Sequence, residues 1–124
     1  MTYAMEVPFD KALKKVRAAL NSGGLEIADE MDLAAHGRCR LLLVDSPLLV
    51  FEGLALDRAA GVYFPLHVVV AAQGARTEVF SSRTSHAHAR LPAGAAEPID
   101  RLEALVARAL GTLAMAQTES RRAE

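Results

Sequence analysis

The chain has 124 residues, 52% of them hydrophobic but only 5% aromatic, with a formal net charge of −1 and a pI near 6.4. That length fits one domain whose core, built from Leu, Val and Ala, needs neither disulfides nor metal. The charge balance argues against a nucleic-acid binder, which carries a strong basic excess, and the most apolar stretch, 41–56, is broken by Asp45, Pro47, Glu52 and Gly53, short of the roughly 20 apolar residues of a membrane span.

Residues 2–7 alternate Tyr3, Met5 and Val7 with Thr2, Ala4 and Glu6, the pattern of a half-buried strand, and Pro8 ends it. Phe9, Leu13, Val16 and Leu20 then form one stripe, with Lys11, Lys14, Lys15 and Arg17 opposite. This predicts an amphipathic helix covering a sheet, stopped by Gly23 and Gly24. Leu25, Ile27 and, after a break in the alternation, Met31 predict a second strand to about residue 32, followed by a turn at His36-Gly37. A third strand is expected over 39–44, and its run Leu41-Leu42-Leu43-Val44 fits a strand covered on both faces or one at the centre of the sheet.

Asp45-Ser46-Pro47 is the sharpest local signal. A Ser followed by Pro fits an N-cap and the first helical position, where the missing N–H costs nothing. The helix predicted over 47–56 is apolar nearly all round, which implies deep burial. Extended structure resumes at 62–64, Pro65 suits a strand start, an edge or a bulge, and a strand follows over 66–72. Gln73-Gly74 marks a hairpin to a strand over 76–82; a loop rich in Ala, His and Pro spans 85–97, a last helix runs over about 99–116, and 117–124 is a polar tail expected to fray. The expected fold is one α+β domain over 1–116 in the order β-α-β-β-α-β-β-α, its sheet largely antiparallel with helices packed against it.

This order, together with Phe9-Asp10-Lys11-Ala12-Leu13 leading to Gly24-Leu25, with Leu42-Leu43-Val44-Asp45-Ser46-Pro47, and with Gly61-Val62-Tyr63-Phe64-Pro65-Leu66-His67-Val68-Val69-Val70, resembles the domain-of-unknown-function 302 family over roughly residues 3–113. The resemblance implies a small α+β domain that tends to pair as a homodimer, and it implies no reaction. Where the family often carries two cysteines and two asparagines, this sequence has Asp45 and Leu66, and Ser46 and His67. A thiol, redox or soft-metal role based on a cysteine pair is therefore not expected.

Asp45 and Ser46 end a buried strand at the start of a buried helix. There they can cap the helix or, with Pro47 and with His67 from the second Pro-containing junction, shape a pocket for a small polar ligand. A Ser-His-Asp hydrolase is disfavoured, because Asp45 and Ser46 are adjacent and no Gly-x-Ser-x-Gly elbow is present. His86 and His88 share one side of an extended segment and, with His36 or an acid, could hold zinc, although two ligands make a weak signal beside the reading of a solvated loop. Cys39 lies between Arg38 and Arg40, which could lower its thiol pKa, though such a cysteine more often packs as a small apolar residue. Leu54, Leu56, Val62, Tyr63 and Phe64 offer more apolar surface than a short connection needs, as expected of core plus homodimer contact. The single cysteine and the absence of a basic region with an apolar run over residues 1–6 make the cytoplasm the expected location. The sequence thus favours a homodimeric, non-enzymatic ligand-binding or protein-interaction module of unknown cofactor content, without nucleic-acid or membrane partners. The alternative is a small metal-dependent hydrolase or lyase using His86 and His88.

Overall fold

Alternating and helical periodicities build one five-stranded sheet and three helices among the described residues. The computed structural model describes residues 2–33, 37–56, 58, 64–81 and 96–123, with side chains in the last segment described for 97–113. The elements are β1 (Thr2–Met5), α1 (Phe9–Ser22), β2 (Glu26–Asp32), β3 (Cys39–Asp45), α2 (Pro47–Leu56), β4 (Leu66–Gln73), β5 (Arg76–Ser81) and α3 (Ala96–Ala123). The order matches the expected one. The strands lie as β1-β5-β4-β3-β2, and every neighbouring pair is antiparallel. β1 and β2 are therefore the edges, and β3 is an interior strand one place from the centre, with Leu41 and Leu43 half-buried on its open face rather than covered on both as its apolar run allowed.

α1 forms where the stripe placed it. Phe9, Ala12, Leu13, Val16 and Leu20 are buried against the sheet, while Lys11, Lys14 and Lys15 stay in water. Its end is set by Gly24, whose φ of +79° a side-chain-bearing residue rarely adopts. The Gly24 amide donates to the Asn21 carbonyl at 3.1 Å and the Leu25 amide to that of Leu20 at 3.0 Å, closing a Schellman motif whose buried Leu20 and Leu25 supply its apolar contact. α3 adds Ile99, Leu102, Val106 and Leu110 to the same layer. It begins three residues before the expected start and continues to Ala123, through a segment rich in the good helix formers Ala, Gln, Glu and Arg.

The helix layer covers one face of the sheet, where Met5, Val79, Val70, Val68, Leu42 and Val44 complete the core. Period-2 alternation puts the neighbouring residues on the other face. There the register lines up Phe80, Val69, Leu41 and Met31 in one row across four strands, with Leu43 and Ala71 beside it. Of these, Phe80 and Met31 are exposed and the others are half-buried.

A bulge between Ile27 and Asp29 interrupts β2. It explains the break in the alternation: Ile27 pairs with Val44 on the covered face, whereas Met31 pairs with Leu41 on the open one. The same bulge turns Glu30 toward α1. There the Arg17 guanidinium donates through Nε and Nη2 to the two Glu30 carboxylate oxygens at 2.6 and 2.7 Å, and Arg40 Nη1 donates to Oε2 at 3.4 Å. The hydrogen bonds from Arg17 hold the Glu30 carboxyl below its ordinary value, with the charges of Arg17 and Arg40 adding to that effect against the opposing pull of burial.

Candidate functional site

α2 departs most from expectation. Its ten residues, PLLVFEGLAL, contain one charge, and a helix apolar all round is expected to be buried all round. Only Leu49 and Gly53 are buried. Leu48 is 64% and Phe51 71% exposed, and Leu54, Ala55 and Leu56 are exposed as well. The deep burial expected of this helix is thus corrected. α2 sits beside α3 at the end of the β3 strand, held there by Leu49 and by Arg101 Nη1 donating to Glu52 Oε2 at 2.9 Å, so a single row of its residues meets the core.

The β3–α2 junction forms as the sequence indicated. The Ser46 carbonyl accepts the Val50 amide at 2.9 Å, which makes Ser46 the N-cap residue, and Pro47 opens the helix. Asp45 pairs with Glu26 at the end of the β2–β3 ladder, and alternation turns both toward the open face. Burial, with the neighbouring Glu26 charge, pushes the Asp45 carboxyl above its ordinary value. Stabilisation of the carboxylate by the helix start is therefore not the dominant influence on it.

Beside this acidic pair lies an open groove of about 520 Å³, lined by Glu26, Ala28, Asp45, Pro47, Val50, Phe51 and Leu54. Two carboxyls at one end and apolar walls along the rest suit a group carrying a positive charge next to an apolar body. Asp45 and Pro47 of the expected pocket line it. His67 does not: it lies exposed on β4 opposite Leu43, one diagonal step from Asp45 on the same face, and such neighbours stand about 7–8 Å apart. Ser46 has left the ladder to cap the helix. The two Pro-containing junctions thus share one end of the sheet without closing a single pocket.

A second depression, of about 700 Å³, runs between α1 and α3. Ala18, Ala19, Gly23 and Ala109 line it together with Lys15, Ser22 and Arg108, and the Thr112 hydroxyl donates to the Ala109 carbonyl at 2.7 Å. Sequence reasoning missed it; small residues on two facing helices were its one signal. The α2 groove is the stronger candidate because Asp45 and Pro47 of the expected pocket line it and the apolar residues of α2 wall it.

His36, His86 and His88 lie outside the described residues, as do Val62 and Tyr63 of the expected association patch. Phe64, from that patch, packs half-buried against the core. Among the described residues no three of His, Cys, Asp and Glu come together as a metal site. Cys39 is half-buried on the open face opposite Ala71. Its neighbours Arg38 and Arg40 turn to the helix side, where Arg38 pairs with Asp10 at 3.0 Å and Arg40 with Glu30 and Asp32. No helix is long and apolar enough to cross a membrane among the described residues.

The model for the family described as "Domain of unknown function DUF302" matches residues 1–109. No curated protein matches the sequence. The fold is similar to the crystal structure of the uncharacterized conserved protein DUF302 from Bacillus stearothermophilus, with a TM-score of 0.78 and 14% identity over 90% of this chain and 94% of that one. At that identity the likeness speaks for the fold. With the family match over most of its length, this chain belongs to the DUF302 family of domains of unknown function.

Proposed function

We propose that this chain is a non-enzymatic, cytoplasmic, self-associating binding module whose working surface is α2 and the groove beside it. One observation carries this reading: a helix apolar all round that buries a single row and presents Leu48, Phe51, Leu54 and Leu56 outward. Contiguous apolar surface of that kind marks an association site in a soluble protein, and the apolar row on the open sheet face adds to it. The test is the mass in solution by equilibrium sedimentation over a hundred-fold range of concentration. A dimer is expected, weakened when Phe51 is changed to Ser; a monomer throughout overturns self-association.

The acidic end of the groove favours a second reading, a small ligand with a cationic head and an apolar body. Octylamine is a suitable probe. The expected result is a rise in melting temperature that Asp45→Ala abolishes and His67→Ala, outside the groove, leaves in place.

A further inference from the structure

We infer that the cleft between α1 and α3 binds a small organic carboxylate with an apolar body, its head group held by Lys15 of α1 and Arg108 of α3. The site is separate from α2 and its groove, so the inference goes beyond the function proposed above.

The cleft follows from the residues the two helices turn to each other. α1 and α3 touch where α1 ends: a methyl group built on Gly23 would lie 3.4 Å from Ala109 Cβ. The lining residues fall at 15, 18, 19 and 22 on α1 and at 105, 108, 109 and 112 on α3. On each helix that is an i, i+3, i+4, i+7 row, so each offers one continuous face to the cleft over about 10 Å of its length. Ala18 and Ala19, in the middle of the α1 row, are too short to fill the space. A volume of about 700 Å³ stays open, within the range of small-molecule sites.

The polar groups that reach the cleft select an anion. Lys15 and Arg108 bring one positive charge from each helix, and no carboxyl is among the described residues that line it. Arg17, Arg38, Arg40, Arg76 and Arg101 are each paired with a carboxylate. Lys15 and Arg108, by contrast, make no ion pair among the described residues. The Thr112 hydroxyl proton is committed to the Ala109 carbonyl, which leaves the Lys15 ammonium, the Arg108 guanidinium and the Ser22 hydroxyl to donate to a ligand. A carboxylate accepts from all three, and its two oxygens match the fork of a guanidinium. Half-buried Leu105 and Leu113, with Ala18 and Ala19, supply apolar contact for the rest of such a molecule. The α2 groove has the opposite polarity, with Asp45 and Glu26 at its end, so the two cavities call for ligands of opposite charge.

Octanoate is the probe, titrated into the full chain and followed by amide chemical shifts. Saturable shifts over 15–23 and 105–113 are expected, with a Kd on the order of 1 mM. Acetate has the head group without the body, and octylamine the body with the opposite charge; both should leave those amides in place. Lys15→Glu and Arg108→Glu should each raise the octanoate Kd about five- to ten-fold. Ala18→Phe should fill the cleft and abolish binding with both charges intact. Positions 15, 18 and 108 are all exposed, and circular dichroism melts show that each variant is folded. If octanoate shifts no amide of α1 or α3, or binds either charge variant or Ala18→Phe as tightly as the unaltered chain, the inference is overturned. Equal responses to acetate and octanoate overturn it too, since they mark a general salt effect. None of these readouts depends on α2, whose surface is tested by the mass in solution and by the Asp45-dependent response to octylamine, so either reading stands when the other falls.

Discussion

α1 and α2 meet the same core but present opposite chemistry to water. α1 buries five residues and turns three lysines to water; α2 buries two and turns leucines and a phenylalanine outward. α1 is explained by the fold of one chain. α2 is not, since burying an apolar side chain is worth about 1.5–3 kcal/mol and the fold leaves that gain unused on α2. The proposed self-association would account for this contrast.

Truncation of the two helices is the strongest way to break this comparison. Leu20→Ala, in the covered layer, should cost about 2–5 kcal/mol in urea unfolding. Phe51→Ala removes a larger side chain, yet should stay within about 0.5 kcal/mol when measured at concentrations low enough for a monomer. Comparable losses would mean that α2 is packed as α1 is.

Glu30→Ala cuts the tie between α1 and β2 and leaves Arg17 and Arg40 without their shared partner, for an expected loss of about 1–3 kcal/mol at neutral pH. The sign of its pH dependence follows from the lowered folded-state value. The stabilisation is full above the unfolded value of about 4.3 and disappears as pH falls through the lower folded one. The gap between variant and unaltered chain should therefore close in acid, which unfolding curves from pH 7 to pH 3 will show.

Gly24→Ala probes the stop of α1. No atom lies within 4 Å of an added methyl group, so the cost comes from the positive φ alone, about 1 kcal/mol in thermal unfolding.

The smallest effect belongs to the α2 end. The Asp45 carboxyl is raised in the folded chain, so its ionisation opposes folding as pH rises through the folded value. Asp45→Asn should then stabilise the monomer by a few tenths of a kcal/mol at neutral pH, a gain that vanishes below the unfolded value of about 3.9. Melting temperature in dilute solution at pH 7 and pH 3 reads that gain and sharpens the contrast between the two helices.

The sequence carried the layer that folds against itself. Phe9, Leu13, Val16 and Leu20 announced α1, Gly23-Gly24 its end, Ser46-Pro47 the start of α2, and Gln73-Gly74 the hairpin whose Gly74 has a φ of +63°. Each is a local signal set by period or backbone conformation. What was not legible depends on neighbours distant in the chain. The PLLVFEGLAL run is compatible with burial in a core or in an interface, and only the position of α3 shows which side stays open. The bulge at Ala28 left a trace as broken alternation, but its effect, turning Glu30 inward to Arg17, needed α1 in place. Of the expected site, Asp45 and Pro47 came to one groove because they are close in sequence, whereas His67 depended on strand register, which seats it opposite Leu43.

The bulged strand has one more consequence, for solubility. β2 is an edge, and EIADEMD gives it four carboxylates in seven residues as well as the interruption after Ile27. A second chain seeking to extend the sheet there meets a broken hydrogen-bonding template and the exposed carboxylates of Glu26 and Asp29. Contacts through the faces of the molecule carry no such obstacle. The chain can therefore leave phenylalanine and leucine in water while its β2 edge resists the strand-by-strand growth that leads to fibrils.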